Sequence, residues 1–144
     1  MAPARDRGFS LIELLIVVGL VAVLGAMTAP VMAGAIKRYE LITSSQQVVS
    51  TIRSARLQAV AKNMVLKVRF DFPEDGQYQV VDAADVAVGS VLTLGEDITF
   101  GGFTDVQFTT AGRIAAPVTI TVTNGNVEQD GTINVSASGQ VRLE

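Results

Sequence analysis

Between Leu14 and Ile36 the chain carries no charged residue, an apolar run of 23 positions. About 20 such residues span a bilayer as a helix. The run predicts one long helix starting near Phe9 and apolar on all sides through its first half, as suits a helix surrounded by lipid or by other helices. Gly19, Gly25 and Gly34 thin it, and Pro30 removes one backbone donor and should loosen a turn. Small residues let helices approach closely, and they are also common in membrane helices at large; the residues support both readings.

From Lys37 to about Lys62 the helix should continue with a different character. Leu41, Ser45, Val48, Ile52, Ala55 and Ala59 step by three or four, with Val49 beside them, which predicts a single packing face. Arg53, Arg56 and Lys62 fall off that face. This half carries net +4, either a solvated surface or one that meets acidic surfaces of neighbouring molecules.

After Asn63 the period changes to two. Met64, Leu66, Val68, Phe70 and Phe72 alternate with Val65, Lys67, Arg69 and Asp71, a strand pattern. Pro73-Glu74-Asp75-Gly76 reads as a turn and Gln77 to Val81 as the returning strand, followed by a loop from Asp82 to Gly89. Shorter strands are expected at Val91–Leu94, Ile98–Phe100, Val106–Phe108, Val118–Val122, Ile133–Val135 and Val141–Leu143. Asn124-Gly125 is the strongest tight-turn signal. The expected fold class is α+β: a long N-terminal hydrophobic helix packed on a mostly antiparallel β-sheet.

One charge stands out against the apolar background. Glu13 lies in Gly8-Phe9-Ser10-Leu11-Ile12-Glu13-Leu14-Leu15, just past the short basic leader Arg5-Asp6-Arg7. A carboxylate at the centre of a membrane helix costs on the order of 3 kcal/mol, so an acid there points to function. No cation lies nearby in the apolar run, so its partner must come from another molecule. Arg5 and Arg7 predict a cytoplasmic N-terminus, with everything beyond the span outside the cytoplasm. An ordinary signal peptide cut near Ala29, Ala33 or Ala35 is the competing reading, but its apolar core is usually shorter.

Composition narrows the chemistry. There is no Cys and no His, so disulfides, thiolate metal sites, thiol nucleophiles and the commonest general base are excluded. Beyond the anchor, roughly one hundred residues suffice for one modest core. Catalysis would have to rest on carboxylates, Ser or Thr with Lys, or an oxygen-ligated metal. Asp71, Glu74, Asp75, Asp82 and Asp85 cluster around the first hairpin, but without EF-hand spacing, and acidic turns are commonly just solvated. The expectation is no enzyme, no metal and no cofactor.

The leader string resembles the class III signal of type IV pilins and pseudopilins. That resemblance implies cleavage by a prepilin peptidase between Gly8 and Phe9, and methylation of Phe9. It also implies that Glu13 neutralises the terminal amine of a neighbouring subunit, and Pro30 fits the proline often seen at this depth. Ile52-Arg53-Ser54-Ala55-Arg56-Leu57-Gln58-Ala59, Val106-Gln107-Phe108-Thr109-Thr110-Ala111-Gly112 and Thr132-Ile133-Asn134-Val135-Ser136 to Gly139-Gln140-Val141 resemble the GspH/FimT family of minor pilins and pseudopilins.

The expected organisation is a leader at 1–8, a transmembrane or filament-core helix at 9–36, an amphipathic continuation at 37–63 and a β-rich extracytoplasmic domain at 64–144. The resemblance implies a structural, minor subunit of a type IV pilus or type II secretion pseudopilus. Its partners would be other subunits, the peptidase, the inner-membrane assembly platform and the membrane itself. Its place would be the bacterial inner membrane, then a periplasmic or extracellular filament. The alternative is a FimT-like minor pilin that binds DNA in natural transformation, with Arg113 and Arg142 as contacts. Charge opposes it: from Met64 onward there are four cations and eleven acids, net −7, whereas phosphate binding needs clustered Lys and Arg. Of the Gly-Arg-x-Arg-like tail of the DNA-binding members, Gly139-Gln140-Val141-Arg142 keeps only the glycine and the last arginine.

Overall fold

A computed structural model describes residues 9–125 and 130–144, with the side chains of 27–31 outside that description. The chain divides into two units, Met1–Ile36 and Lys37–Glu144.

Helix α1 runs Leu11–Ala61, within two residues of the expected bounds. Its end follows from local hydrogen bonding. Asn63 adopts a left-handed φ of 50°, Met64 N donates to Ala59 O at 3.1 Å, and Asn63 N donates to Val60 O at 3.3 Å. This is the Schellman arrangement, which satisfies carbonyls that the last turn leaves open. Asn tolerates the left-handed region better than most residues with a Cβ.

In the second unit the predicted helix face is the buried one: Leu41, Ser45, Val48, Val49, Ile52, Ala55 and Ala59 are all buried. Each fully buried large apolar side chain on it, such as Ile52, is worth about 1.5–3 kcal/mol. Alanine at 55 and 59 keeps the last two turns thin where the strands approach.

Eight strands follow: β1 (Leu66–Phe70), β2 (Gln77–Asp82), β3 (Leu92–Thr93), β4 (Ile98–Gly101), β5 (Val106–Phe108), β6 (Val118–Asn124), β7 (Gly131–Val135) and β8 (Val141–Leu143). They form two antiparallel sheets where one was expected, ordered β3-β2-β1-β5 and β4-β6-β7-β8. The alternation in β1 turns Leu66, Val68 and Phe70 into the core. Phe70, Tyr78 and Phe100 bring the sheets together, with Phe70 and Phe100 5.0 Å apart and Tyr78 and Phe100 5.7 Å apart, both edge to face.

The Asn124-Gly125 turn is a correction. Asn124 is the last residue of β6, buried and paired with Ile98, and Val122 pairs with Gly131. The β6–β7 connection is therefore longer than a two-residue turn, and residues 126–129 within it lie outside the described residues. Strand β6 needs Asn124 because β4 extends the ladder past the end of β7.

Candidate functional site

Ser10 precedes the first helical residue, and its carbonyl accepts from Leu14 N at 3.2 Å. Glu13 sits in the first turn of α1, where the partial positive charge of the helix N-terminus favours a carboxylate. Around it the helix buries nothing in this chain. Phe9 is 85% exposed, Leu11 82%, Leu15 66% and Leu24 61%, and the apolar residues between are exposed on every face. Among the described residues a Cβ built on Gly19, Gly25 or Gly34 would meet nothing within 4 Å, so no described side chain requires glycine there. Gly8 and the side chain of Pro30 lie outside the described residues. Among the described residues no helix is long and apolar enough to cross a membrane.

The second unit carries a different assembly of residues. Arg56 Nε donates to Gly112 O and its Nη2 to Ser138 O, both at 3.0 Å. Arg53 Nη2 donates to Val141 O at 2.9 Å. Gly112 and Gly139 have φ of 70° and 79°, and a Cβ on Gly112 would come within 2.9 Å of Val60 Cγ2. A Cβ on Gly139 would run into the Gly112 carbonyl and come within 2.7 Å of Arg56 Nε. One arginine thus ties the helix to two turns that only glycine can form here. Arg53 and Arg56 are not merely solvated; they bind this chain's own backbone.

The two arginines expected at a nucleic-acid contact are not placed alike. Arg113 is exposed in a turn whose backbone is held by Thr109, through Thr109 N to Arg113 O at 2.9 Å and Arg113 N to Thr109 Oγ1 at 3.3 Å. Arg142 is exposed on β8 and lines a groove with Arg53, Arg56 and Leu57, of which Arg113 is not a lining residue.

The acidic residues of the first hairpin and the following loop are committed locally. Asp71 Oδ1 accepts from Gly76 N at 2.8 Å. Asp82 Oδ1 accepts from Ala84 N at 2.8 Å and Val86 N at 2.9 Å. Asp85 accepts from Lys67 Nζ at 2.6 Å. That hydrogen bond holds the Asp85 carboxyl below its ordinary pKa of 3.8; desolvation opposes it in part, and the charges of Lys67 and Arg69 each add a lesser lowering effect. Arg69 also reaches Asp105 at 3.6 Å and lies 4.0 Å over the Phe72 ring. Among the described residues no group of three or more acidic side chains is placed to hold a metal ion.

Tyr78 is fully buried. Burial pushes its phenol pKa above 10.0, with a weaker opposing effect of Thr51. Thr51 donates its own hydroxyl to Gln47 O at 3.0 Å, and no hydrogen bond of good geometry reaches the Tyr78 oxygen.

Arg56, Gly112 and Gly139 stand in three separate motifs of the sequence, and only the folded chain joins them. The signal was the recurrence of a lone glycine after a strand, and its cause is visible only as packing.

Residues 44–139 match the family model of the type II transport protein GspH, and residues 3–29 match the prokaryotic N-terminal methylation motif. The fold is similar to that of the type IV minor pilin FimU of Pseudomonas aeruginosa, at 18% identity and a TM-score of 0.63, covering 74% of this chain and 90% of that one. It is also similar to the minor pseudopilin EpsH of the Vibrio cholerae type II secretion system. There the identity is 16% and the TM-score 0.59, over 73% of this chain and 96% of that one. No curated protein sequence matches the chain significantly.

Proposed function

The chain belongs to the family of the type II transport protein GspH and is a structural subunit of the minor pilin and pseudopilin type, not an enzyme; we propose that it matures by cleavage between Gly8 and Phe9 and enters a filament through its N-terminal helix. Before cleavage it waits in the inner membrane with residues beyond the apolar run outside the cytoplasm. A prepilin peptidase exposes the amine of Phe9, which is methylated, and the helix passes from lipid into a filament core.

The observation that carries this reading is the helix itself. From Leu11 to Ile36 its described apolar residues are exposed on every face, so that part of its hydrophobic surface must be covered by lipid or by other helices. Burial against neighbours supplies most of the driving force. Gly19, Gly25 and Gly34, around which no described atom would meet a Cβ within 4 Å, allow close approach of neighbouring helices, and Pro30 loosens a turn so the helix adapts. Glu13 pairs with the Phe9 amine of the next subunit. An unpaired charge in that core is strongly penalised, so the pair sets register. The partners are other subunits, the peptidase and the inner-membrane assembly platform, in either a type II secretion pseudopilus or a type IV pilus.

Mass spectrometry of filaments sheared from the native cell, reading the N-terminal peptide, tests this. The expected result is a trace amount of this chain beginning at methylated Phe9. An abundant signal would make it a major subunit, and a chain beginning at Met1 or near Ala35, absent from filaments, would overturn the reading. Gly8→Leu should block maturation, and a mature-sized product from that variant would refute the cleavage site.

A further inference from the structure

Strand β8 is an edge strand of its sheet, with β7 on one side. Thr132 and Glu144 exchange both backbone hydrogen bonds, at 3.2 and 2.8 Å. In an antiparallel ladder such pairs alternate with residues whose N–H and C=O point away from the partner strand. Val141 and Leu143 therefore turn their backbone groups to the open side. The Val141 carbonyl confirms the geometry, since it accepts from Arg53 on that side. The Val141 N–H and both polar groups of Leu143 are left facing a groove, which is an available template for another strand.

That groove lies between β8 and the outer face of α1. It has a volume of about 580 Å³ and is lined by Gln46, Val49, Arg53, Leu57 and Leu143. A second groove of about 400 Å³ adjoins it through Arg53 and Leu57 and reaches Arg56 and Arg142. Both fall within the ~300–1,000 Å³ range of ligand sites. Leu57 is 69% exposed and Leu143 37%, so the groove has apolar surface that this chain leaves uncovered. Three arginines line its Gly139–Arg142 end. Arg53 and Arg56 are each fixed by bonds to carbonyls that do not use all of their five donors.

We propose that this groove receives an extended acidic segment of another subunit, which adds as a strand beside β8. Backbone hydrogen bonds to Val141 and Leu143 supply the pairing, as in other strand-addition complexes. Side chains of an added strand alternate between faces. Those facing the helix are apolar and cover Leu57 and Leu143, and those on the opposite face carry carboxylates opposite Arg142. Charge selects the occupant: Arg53, Arg56 and Arg142 make the groove cationic at one end, and the helix half that forms its other wall carries net +4, so the groove attracts acid. A nucleic acid has a wider footprint, would meet the net −7 of the residues from Met64 onward, and would leave the strand edge unused. The inference rests on the filament-subunit reading but not on any step of maturation.

The test uses the full chain in detergent micelles and a fluorescent eight-residue peptide alternating glutamate and valine. Its lysine–valine counterpart and a twelve-nucleotide DNA strand serve as competitors. The acidic peptide should bind, weaken with salt, and slow amide exchange at Val141 and Leu143 at least tenfold. Leu143→Pro removes a donor that faces away from β7, so it spares the ladder and should abolish binding. Arg142→Glu, on an exposed position, should weaken it at least tenfold. Equal binding of the lysine peptide, binding indifferent to both variants, no binding, or tighter capture of the DNA strand would each overturn the proposal. Mass spectrometry of each variant's N-terminal peptide separates this failure from failure of the subunit reading, because maturation at Phe9 should be unchanged in both.

Discussion

Gly139→Ala should destabilise the second unit far more than Gly76→Ala, although both glycines have left-handed φ, 79° and 72°. The backbone cost of forcing an ordinary residue into that region is about 1–2 kcal/mol, and it is common to both. At Gly76 the added Cβ would meet only the Ile98 carbonyl, at 3.9 Å, so that cost is nearly all. At Gly139 the Cβ would strike the Gly112 carbonyl and come within 2.7 Å of Arg56 Nε. Relief requires shifting the Gly112 backbone carbonyl as well as Arg56 Nε, and so breaks the 3.0 Å bond between them. A hydrogen bond from a charged donor is worth about 1.5–3 kcal/mol, and partial exposure favours the lower figure. The expected costs are then about 1–2 kcal/mol for Gly76→Ala and about 2.5–3.5 kcal/mol for Gly139→Ala. In a domain of this size each kcal/mol lowers Tm by about 4 °C. Thermal unfolding of the full chain in micelles, followed by near-ultraviolet dichroism of the buried Tyr78, should show shifts of about 4–8 °C and about 10–14 °C. Adding Arg56→Met to Gly139→Ala should cost less than the sum of the two singles by about 1 kcal/mol, because the residues share one contact. Equal shifts for the two glycine variants, or strict additivity with Arg56→Met, would refute the idea that Arg56 organises these turns.

Glu13→Ala should be cleaved normally yet fail to enter filaments; quantifying mature chain in membranes and in sheared filaments checks it, and normal incorporation would remove Glu13 from assembly. The Asp85 carboxyl is held below 3.8, so its stabilising effect is present above that value and lost as pH falls through the lower folded-state pKa. Accordingly, the gap in Tm between the native chain and Asp85→Asn should be present at neutral pH and close in acid, and a gap that widens on acidification would contradict the Lys67 pairing. Tyr78 is shifted the other way, above 10.0, so its contribution is intact below pH 10.0 and declines as pH rises past it. In a Tyr39→Phe background, phenolate absorbance should appear only above pH 10.0, and a midpoint at or below that value would show that Tyr78 is not buried.

Local pattern was enough for much of this protein. The step of three and four from Leu41 to Ala59 named the buried helix face because side chains at those spacings share one side of a helix. Alternation from Leu66 to Phe70 named the inward face of β1 for the corresponding reason in a strand. The apolar run with Glu13, and the absence of Cys and His, set the class of function, since each depends on residue type and order alone. What lay beyond sequence reasoning was non-local. Whether eight short strands make one sheet or two depends on partners far apart in the chain: β1 takes β5, and β4 takes β6. Asn124-Gly125 carried the local signature of a tight turn, and pairing with Ile98 overrode it. Arg53 and Arg56 read as surface charge because their partners, Val141, Gly112 and Ser138, are carbonyls. Every residue owns a carbonyl, so only the tertiary structure decides which of them an arginine finds.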